Sequence, residues 1–479
     1  MSGAVTMTPA VQREWPLDAL LFNFEAVNGN QIVPVPWTIR HACEGTAVFG
    51  ATGSGKTSGS GRQLAHAMLG AGFGGLVLCA KPDEADRWCG WAKECGRSGD
   101  VRLFGADSGF GFNFLDHELN RHGPGAGISE NAVSILMQCA ERSGGGGRSE
   151  DGIWEQAARQ WYRNAFDLLR IAGEPVTISV LHKMVTDPKE LEKVLALAAA
   201  RTGLGSRDNH DREAVGRYFR GEWTTMAERT QASVRMNITA ILDPLARGIG
   251  HELFCRDTTL TPEEARAGAI LVIDLPVKVY GELGRFAGII WKYLFQCAAE
   301  RQVTDDKTRP LFLFADEAQF FVTSKDAEFQ TTARSSRTAT VFLTQNFPNL
   351  LAELGGEGRG KARVDSLMGN LQTKLFHQNS DPETNRWAAE ILTKGVQTRS
   401  STNAGFSFGS GGGGSGGSSE QELIDYEVQP REFLKLAKGG PEYDALVTAV
   451  LFQGGRTFPN GKHWVPVGFD QQSKGGGTP

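Results

Sequence analysis

The sequence lacks an excess of basic residues, a long apolar run and a signal peptide. Its 50 lysines and arginines are outnumbered by 55 aspartates and glutamates, which gives a formal net charge of −5. A nucleic-acid partner would therefore have to meet local basic patches, because no global positive field is available. No apolar run approaches the roughly 20 residues that a membrane-spanning helix needs. These absences predict a soluble, cytoplasmic chain.

Cysteine and histidine are sparse and without pattern. The 7 cysteines are scattered singly, with no Cys-x-x-Cys or zinc-finger spacing, and the 9 histidines show no metal-binding spacing. No Asn-Lys-x-Asp motif, which would select guanine, occurs in the sequence. The sequence therefore predicts neither a zinc protein nor a disulfide-stabilised secreted protein, and a nucleotide partner would be ATP rather than GTP.

The most informative stretch is residues 50–57, which has the pattern Gly-x-x-x-x-Gly-Lys-Thr. An apolar run precedes it and a segment with helix-like apolar spacing follows, which is the strand–loop–helix context that a phosphate-binding loop requires. Glycine lets backbone N–H groups converge on phosphate oxygens. Lys56 would reach the β- and γ-phosphates and Thr57 would bind Mg²⁺, whereas the alternative is a glycine-rich turn that contains a lysine. The predicted nucleotide-binding residues are Gly50, Ala51, Thr52, Gly53, Ser54, Gly55, Lys56, Thr57 and Ser58.

A second apolar run, residues 311–317, ends in Asp316 and Glu317. Asp316 would bind Mg²⁺ and Glu317 would polarise the attacking water as general base. The alternative is a strand that simply ends at an acidic loop. The next strand signal ends in Gln345, whose amide would sense the γ-phosphate, and the alternative there is a polar turn residue.

Two groups of basic residues are further candidates. Arg334 and Arg337 lie between the two strands, and an arginine that reaches a neighbouring subunit's γ-phosphate accelerates hydrolysis by orders of magnitude. Arg359, Lys361 and Arg363 form a glycine-flanked basic stretch, a candidate DNA contact. For both groups the alternative is a solvated surface. The predicted catalytic residues are Lys56, Glu317, Gln345 and Arg334.

Strand and helix signals alternate on both sides of a long helical block. The alternation predicts an α/β fold of the P-loop NTPase class, with a mostly parallel sheet flanked by helices and an inserted all-α domain. Residues 405–419 are almost wholly glycine and serine and predict a mobile loop. The apolar runs at 445–452 and 464–467 predict edge strands. The predicted domains are an unassigned segment (1–40), a first part of the nucleotide-binding domain (41–127), the all-α insert (128–255), a second part of the nucleotide-binding domain (256–470) and a disordered tail (471–479).

Together these motifs resemble the coupling-protein ATPases of conjugative and type IV secretion systems, the TraG/TraD-like branch of the FtsK/HerA motors. A helical block that opens at residues 153–159 separates the phosphate loop from the acidic strand, as in that family. Residues 112–116 are similar to the family's Asn-Pro-Leu-Asp element, with phenylalanine in place of proline. Residues 280–285, 381–384 and 460–464 also match the family's pattern.

The resemblance implies a RecA-like ring motor, typically a hexamer, that hydrolyses ATP with Mg²⁺ and moves single- or double-stranded DNA. It implies that the helical domain faces a relaxase or relaxosome cargo, that Gln345 is the sensor, and that Arg334 acts in trans with Arg337 as the fallback. Family members usually begin with membrane-spanning helices, and this sequence has none. Either a separate partner holds it peripherally at the inner membrane, or it is a soluble relative.

Two other functions stay open from the sequence. One is a HerA-like translocase that processes DNA with a nuclease partner. The other is a docking scaffold that ATP binding orders and that pumps nothing. The coupling protein and the HerA-like translocase would have the same nucleotide site and would differ only in their partner. The scaffold would differ from both because DNA would not stimulate its ATP hydrolysis.

Overall fold

The computed structural model describes residues 13–143, 151–405 and 415–472. The strands are β1 (Leu20–Asn28), β2 (Gln31–Thr38), β3 (Thr46–Phe49), β4 (Gly74–Leu78), β5 (Val101–Gly105), β6 (Ile270–Asp274), β7 (Leu311–Ala315), β8 (Thr338–Thr344), β9 (Thr373–Phe376), β10 (Lys394–Gly405), β11 (Ser415–Tyr426), β12 (Leu446–Gln453) and β13 (Trp464–Asp470).

Helices connect most of these strands. They are α1 (Ile39–Cys43), α2 (Arg62–Gly70), α3 (Glu84–Glu94), α4 (Phe114–Asn120), α5 (Ser129–Ser143), α6 (Asp151–Ala172), α7 (Ile178–Thr186), α8 (Pro188–Ala200), α9 (Ser206–Arg217), α10 (Glu228–Ala246), α11 (Gly248–Phe254), α12 (Glu264–Ala267), α13 (Val277–Glu300), α14 (Ser324–Thr332), α15 (Phe347–Glu353), α16 (Lys361–Asn370) and α17 (Pro382–Ile391).

Within the described residues, eleven strands form one sheet in the order β2-β1-β13-β12-β9-β3-β8-β7-β4-β6-β5. The strands from β9 to β5 are all parallel, and β12, β13, β1 and β2 are added to them antiparallel. Because the carboxyl ends of parallel strands meet at one edge of a sheet, the loops after β3, β4, β7 and β8 converge there.

The central strands are apolar on both faces, as parallel strands covered by helices must be. β7 and β8 are buried along their whole length. In β7, Leu313 packs into the core on one face of the sheet, whereas Phe312 packs into the core on the other face. Phe312 stacks on Trp88 of α3 with ring centroids 5.5 Å apart. Helices α2 and α3 therefore cover one face of the sheet.

The other face carries α13 and the helical block from α5 to α11. Between Ser129 and Phe254 the described residues form no strand. Trp161 and Trp223, two residues with rings that could stack on nucleic-acid bases, are buried inside this block. Among the described residues, no helix combines the length and the apolar character that crossing a bilayer requires.

The predicted fold class is confirmed: the sheet is large, mostly parallel and flanked by helices. The division into domains stays a prediction. The predicted edge strands near 445–452 and 464–467 are interior strands, because β1 pairs beyond β13. The segment that the sequence left unassigned supplies this outer hairpin. Its prolines, Pro34 and Pro36, lie on the outermost strand β2, where a missing N–H leaves no ladder bond unmade.

Two predicted irregular segments contain ordered residues. Of the predicted mobile loop 405–419, Gly405 pairs with Ser415 in the separate β10–β11 hairpin. Ladder hydrogen bonds use backbone groups, so glycine and serine do not prevent this pairing. Of the predicted disordered tail, Gln471 donates a 2.7 Å hydrogen bond to Ser58 Oγ. Residues 406–414 and 473–479 lie outside the described residues.

Candidate phosphate and metal site

The phosphate loop, residues 50–57, joins β3 to a π-helical turn, Thr57–Gly61, that leads into α2. Gly53 and Gly55 have φ values of 74° and 81°, left-handed conformations that residues with a Cβ rarely adopt. The backbone N–H groups of Gly53, Gly55 and Lys56 enter no backbone hydrogen bond in the described part of the chain. They are therefore available to anionic oxygens at the start of the helix.

A metal-binding pair lies beside this loop. Thr57 Oγ1 donates a 2.7 Å hydrogen bond to Asp316 Oδ2, although the two residues follow different strands, β3 and β7, which β8 separates. A hydroxyl and a carboxylate are oxygen ligands of the kind that Mg²⁺ binds together with phosphate oxygens and waters. Among the described residues, no group of three or more His, Cys, Asp or Glu side chains could hold a metal alone. The pair therefore fits an ion that arrives with a nucleotide.

Glu317 is the centre of the site. It is 2% exposed and its backbone has a φ of 53°, a left-handed value. Its carboxylate accepts hydrogen bonds from Lys81 Nζ (2.7 Å), Gln319 Nε2 (2.9 Å) and Gln345 Nε2 (3.1 and 3.2 Å). Lys56 Nζ lies 3.8 Å from Glu317 Oε1. Three of the predicted catalytic side chains thus lie together in one chain.

The charges around Glu317 favour its ionised form. Burial alone would raise the pKa of its carboxyl, but the Lys56 charge and the hydrogen bonds from Lys81 and the two glutamines lower that pKa to about 2. Burial alone would lower the pKa of Lys81, but Asp316 and Glu317 raise it. The site therefore contains an ionised carboxylate and an ionised ammonium at neutral pH.

Two positions that follow β4 were not assigned a role from the sequence: Lys81 in the loop and Glu84 at the start of α3. Lys81 contacts Glu317, as described above, and Glu84 Oε2 accepts hydrogen bonds from the N–H groups of Ala80 (2.6 Å) and Lys81 (3.2 Å). Burial and the nearby charge of Asp316 raise the pKa of Glu84 to about 8. The available signal was the position of residues 81–84 after a buried strand, at the edge where α/β sheets bind ligands.

Gln319 was also missed, and it connects the site to the helical block. Arg142, near the end of α5, donates a 2.9 Å hydrogen bond to the Gln319 carbonyl and forms an ion pair with Glu353. Its neighbour Glu141 accepts a 2.8 Å hydrogen bond from Ser324 Oγ. The first helix of the block therefore ends against the loop that carries Glu317.

Arg334 and Arg337 are not part of the site of their own chain. Both precede β8, whose opposite end carries Gln345. The Arg334 side chain is 60% exposed and lies 3.6 Å from Glu44. Arg337 is buried and donates a 3.0 Å hydrogen bond to Asp306 Oδ1. Arg334 is accessible to a second chain, whereas the fallback Arg337 is not.

The two described cations of the predicted DNA contact form ion pairs on the surface. Lys361 forms a 3.2 Å ion pair with Asp365, and Arg363 forms a 2.9 Å ion pair with Glu141. The Arg359 side chain lies outside the described part of the structure. Both described cations thus have carboxylate partners, and the DNA contact stays a prediction.

Sequence comparison matches one segment of the chain to a known family. Residues 310–436 match the family model described as the TraM recognition site of TraD and TraG. That segment runs from the strand that carries Asp316 and Glu317, through Gln345 and the β10–β11 hairpin, into the loop that precedes β12. No curated protein matches the sequence.

The whole fold is similar to that of the bacterial conjugative coupling protein TrwB. The TrwB complex with the non-hydrolysable ATP analogue ADPNP has 15% identity and a TM-score of 0.62, over 97% of this chain and 99% of that chain. The complex with ADP and Mg²⁺ has 16% identity and a TM-score of 0.60, over 96% and 98%. The unbound monoclinic form has 15% identity and a TM-score of 0.60, over 94% and 89%. The shared P-loop NTPase fold confirms the resemblance that the motifs predicted.

Proposed function

We propose that this chain is an ATP-hydrolysing coupling protein that drives DNA transfer in conjugation or type IV secretion. The observation that carries the proposal is a composite site at one edge of the parallel sheet. The loop after β3 contributes Lys56 and Thr57. Asp316 and Glu317 directly follow β7, and Gln345 follows β8, the strand between β3 and β7. Free backbone donors, two lysines, an oxygen ligand pair and a buried carboxylate are the groups that phosphoryl transfer to water requires.

In the proposed reaction the N–H groups of the phosphate loop and Lys56 bind the β- and γ-phosphate oxygens. Mg²⁺, held by Thr57 and Asp316, would neutralise charge that develops on the phosphates. Glu317 accepts the proton of the attacking water. Gln345 donates to Glu317 before turnover, and its amide would sense the γ-phosphate.

The comparisons support the nucleotide and the partners. TrwB, which shares this fold, has been crystallised with an ATP analogue and with ADP and Mg²⁺. The family model matched by residues 310–436 describes a recognition site for TraM, which supports a relaxosome protein as the cargo. The contact between Arg142 and Gln319 supports a mechanical link between the helical block and hydrolysis. A peripheral position at the inner membrane, through a membrane-anchored partner, is part of the proposal.

We propose that identical chains assemble into a closed ring of six, as in the family that the sequence resembles. Arg334 supports it, because its side chain is 60% exposed and lies at the edge of the sheet opposite the site of its own chain. A head-to-tail ring presents such an edge to the next chain. Arg334 would then stabilise the transition state in its neighbour.

One experiment tests the proposed function. ATP hydrolysis is measured with no DNA, with single-stranded DNA and with double-stranded DNA, for the wild type, Lys56→Ala and Lys93→Ala. Lys93 is an exposed lysine of α3 and serves as the control. We expect DNA to accelerate the wild type and the control, and Lys56→Ala to lose at least about a hundredfold in rate, because a phosphate ligand is removed.

Each other outcome selects another function. A hydrolysis rate that ignores DNA favours the docking scaffold, and absence of hydrolysis with either DNA contradicts the motor. Capture of a nuclease instead of a relaxase by the purified chain favours the HerA-like DNA-processing translocase.

A further inference from the structure

The carboxylate of Glu317 has no free acceptor position. A carboxylate offers about four lone-pair positions to hydrogen-bond donors. Oε1 accepts from Lys81 and Gln345, and Oε2 accepts from Gln319 and Gln345. A general base must have the water that it deprotonates within hydrogen-bond distance. In this arrangement one donor has to leave before Glu317 can accept a proton from water.

The two glutamines are neutral, so a phosphate attracts them less than it attracts an ammonium, and Gln319 is also held in place. Gln319 is buried, and its Oε1 accepts a 3.0 Å hydrogen bond from Thr344 Oγ1. Its carbonyl is held by Arg142. The backbone carbonyl of Gln345 accepts a 2.8 Å hydrogen bond from Asn379 Nδ2, which holds its main chain. The Gln319 amide is thus fixed by a contact other than that with Glu317, whereas the Gln345 amide, among the described residues, donates only to Glu317 and carries no charge.

Lys81 differs from both glutamines because it carries a positive charge. Glu84 fixes its backbone, but its side chain is 35% exposed. Within the described residues its ammonium donates a hydrogen bond to Glu317 alone, and it also lies 3.9 Å from Asp316 Oδ2. A long, flexible stem carries this compact charge, so the ammonium can move while the backbone stays in place.

A bound triphosphate would act on this ammonium from two sides. Mg²⁺ at Thr57 and Asp316 would repel it, because both are cations. The γ-phosphate oxygens would attract the Lys81 ammonium, because they are negatively charged. They would bind close to it, since Lys56, the other phosphate ligand, lies 3.8 Å from the same Glu317 oxygen. A diphosphate with Mg²⁺ would bring the repulsion but no γ-phosphate oxygens to receive the ammonium.

We propose that Lys81 exchanges partners when a nucleoside triphosphate binds: its ammonium leaves the Glu317 carboxylate for the γ-phosphate oxygens. The exchange breaks one ion pair and forms another, with no covalent change at Lys81. It frees one acceptor position on Glu317 for the attacking water. Lys81 is therefore the group that distinguishes triphosphate from diphosphate and ties that distinction to release of the general base. This inference rests on the proposed function as an ATPase.

In this proposal Glu317 and the γ-phosphate compete for the Lys81 ammonium. A double-mutant cycle measures that competition. The dissociation constants of ADPNP and of ADP, each with Mg²⁺, are determined for the wild type, Lys81→Met, Glu317→Gln and the double variant. ADPNP is not hydrolysed, so turnover does not enter the measurement. Lys81→Arg keeps the charge, and Lys93→Met is the matched surface control.

We expect Glu317→Gln to tighten ADPNP binding at least about fivefold, because the ammonium no longer has to leave a carboxylate. Lys81→Met should weaken ADPNP binding about tenfold, and Glu317→Gln should bring no gain in that background. Lys81→Arg should restore most of the affinity. ADP binding should change less than about twofold in every variant.

Two results would overturn the exchange. One is an equal gain from Glu317→Gln with and without Lys81. The other is an equal loss of ADPNP and ADP binding in Lys81→Met, which a merely structural role would produce. A wild type that binds neither nucleotide would instead remove the proposed function, and that outcome is distinct from both.

Discussion

Two lysine–carboxylate clusters of this molecule are buried, yet they differ in construction. In the first, Lys292 of α13 forms an ion pair with Asp326 of α14, and neither side chain is exposed at all. Asp326 also accepts hydrogen bonds from Gln296 Nε2 and the Thr323 N–H, each at 2.7 Å. The second cluster surrounds Glu317, where one of the cations, Lys81, is 35% exposed.

The difference shows that burial of charge does not by itself identify a functional site. Asp326 has a regular helical position, and its bond to the Thr323 N–H closes the capping box at the start of α14. Glu317 instead has a strained left-handed backbone, and surrounding contacts hold it there. Backbone donors without partners lie next to it in the phosphate loop. Strain, spare donors and access to solvent are the features that separate the functional cluster from the structural one.

The largest expected effect tests whether the Glu317 cluster is completed by a second chain. We expect Arg334→Ala to lower the DNA-stimulated rate of ATP hydrolysis by about a thousandfold, because the positive charge that stabilises the transition state is lost. Mixing Arg334→Ala chains with Glu317→Gln chains should restore part of the rate, since one type of interface then keeps both groups. Arg220→Ala removes an arginine of similar exposure from the helical block and should leave the rate unchanged. No loss in Arg334→Ala would exclude the trans role.

The next effect concerns stability. Lys292→Met should lower the free energy of unfolding by about 3–5 kcal/mol, because it leaves the Asp326 carboxylate buried without its cation. Lys81→Met removes the same charge from the other cluster and should cost less than about 1 kcal/mol, because Lys81 is partly solvated. Urea unfolding followed by tryptophan fluorescence measures both. Equal losses would contradict the distinction between the clusters.

The smallest expected effect is a pH dependence near the Glu317 cluster. The folded chain raises the pKa of Glu84 from 4.5 to about 8, so between these values it binds a proton that the unfolded chain has released. The free energy of unfolding should therefore fall as pH rises through this window. Glu84→Gln has no such proton and should be more stable than the wild type at pH 8, on the order of 3 kcal/mol. Identical pH profiles of the two proteins would refute the assignment.

Much of the site could be predicted from the sequence because its motifs are local. The phosphate loop has fixed spacing, and Glu317 follows an apolar strand directly. Lys81 could not be assigned, because its contact with Glu317 depends on β4 lying next to β7 in the sheet, and strand order is not written in local spacing. Gln319 was missed for a similar reason, since Thr344 and Arg142 orient it from distant segments.

The fold class could be predicted from the sequence, but the outer strands of the sheet could not. Apolar runs identified the parallel strands, because helices cover both of their faces. β12 and β13 were predicted to be edge strands because nothing in their own sequence indicates that a further strand pairs beside them. That neighbour is β1, from the opposite end of the chain. Antiparallel pairing between distant segments leaves no periodic signal that either strand carries alone.

The position of Gln471 has a practical consequence for labelling. Its side chain bonds Ser58 Oγ, and its carbonyl accepts a 3.1 Å hydrogen bond from Arg62 Nη1 at the start of α2. A fluorophore attached at position 472 would thus lie close to the helix that follows the phosphate loop. Its emission would make a local reporter of nucleotide occupancy.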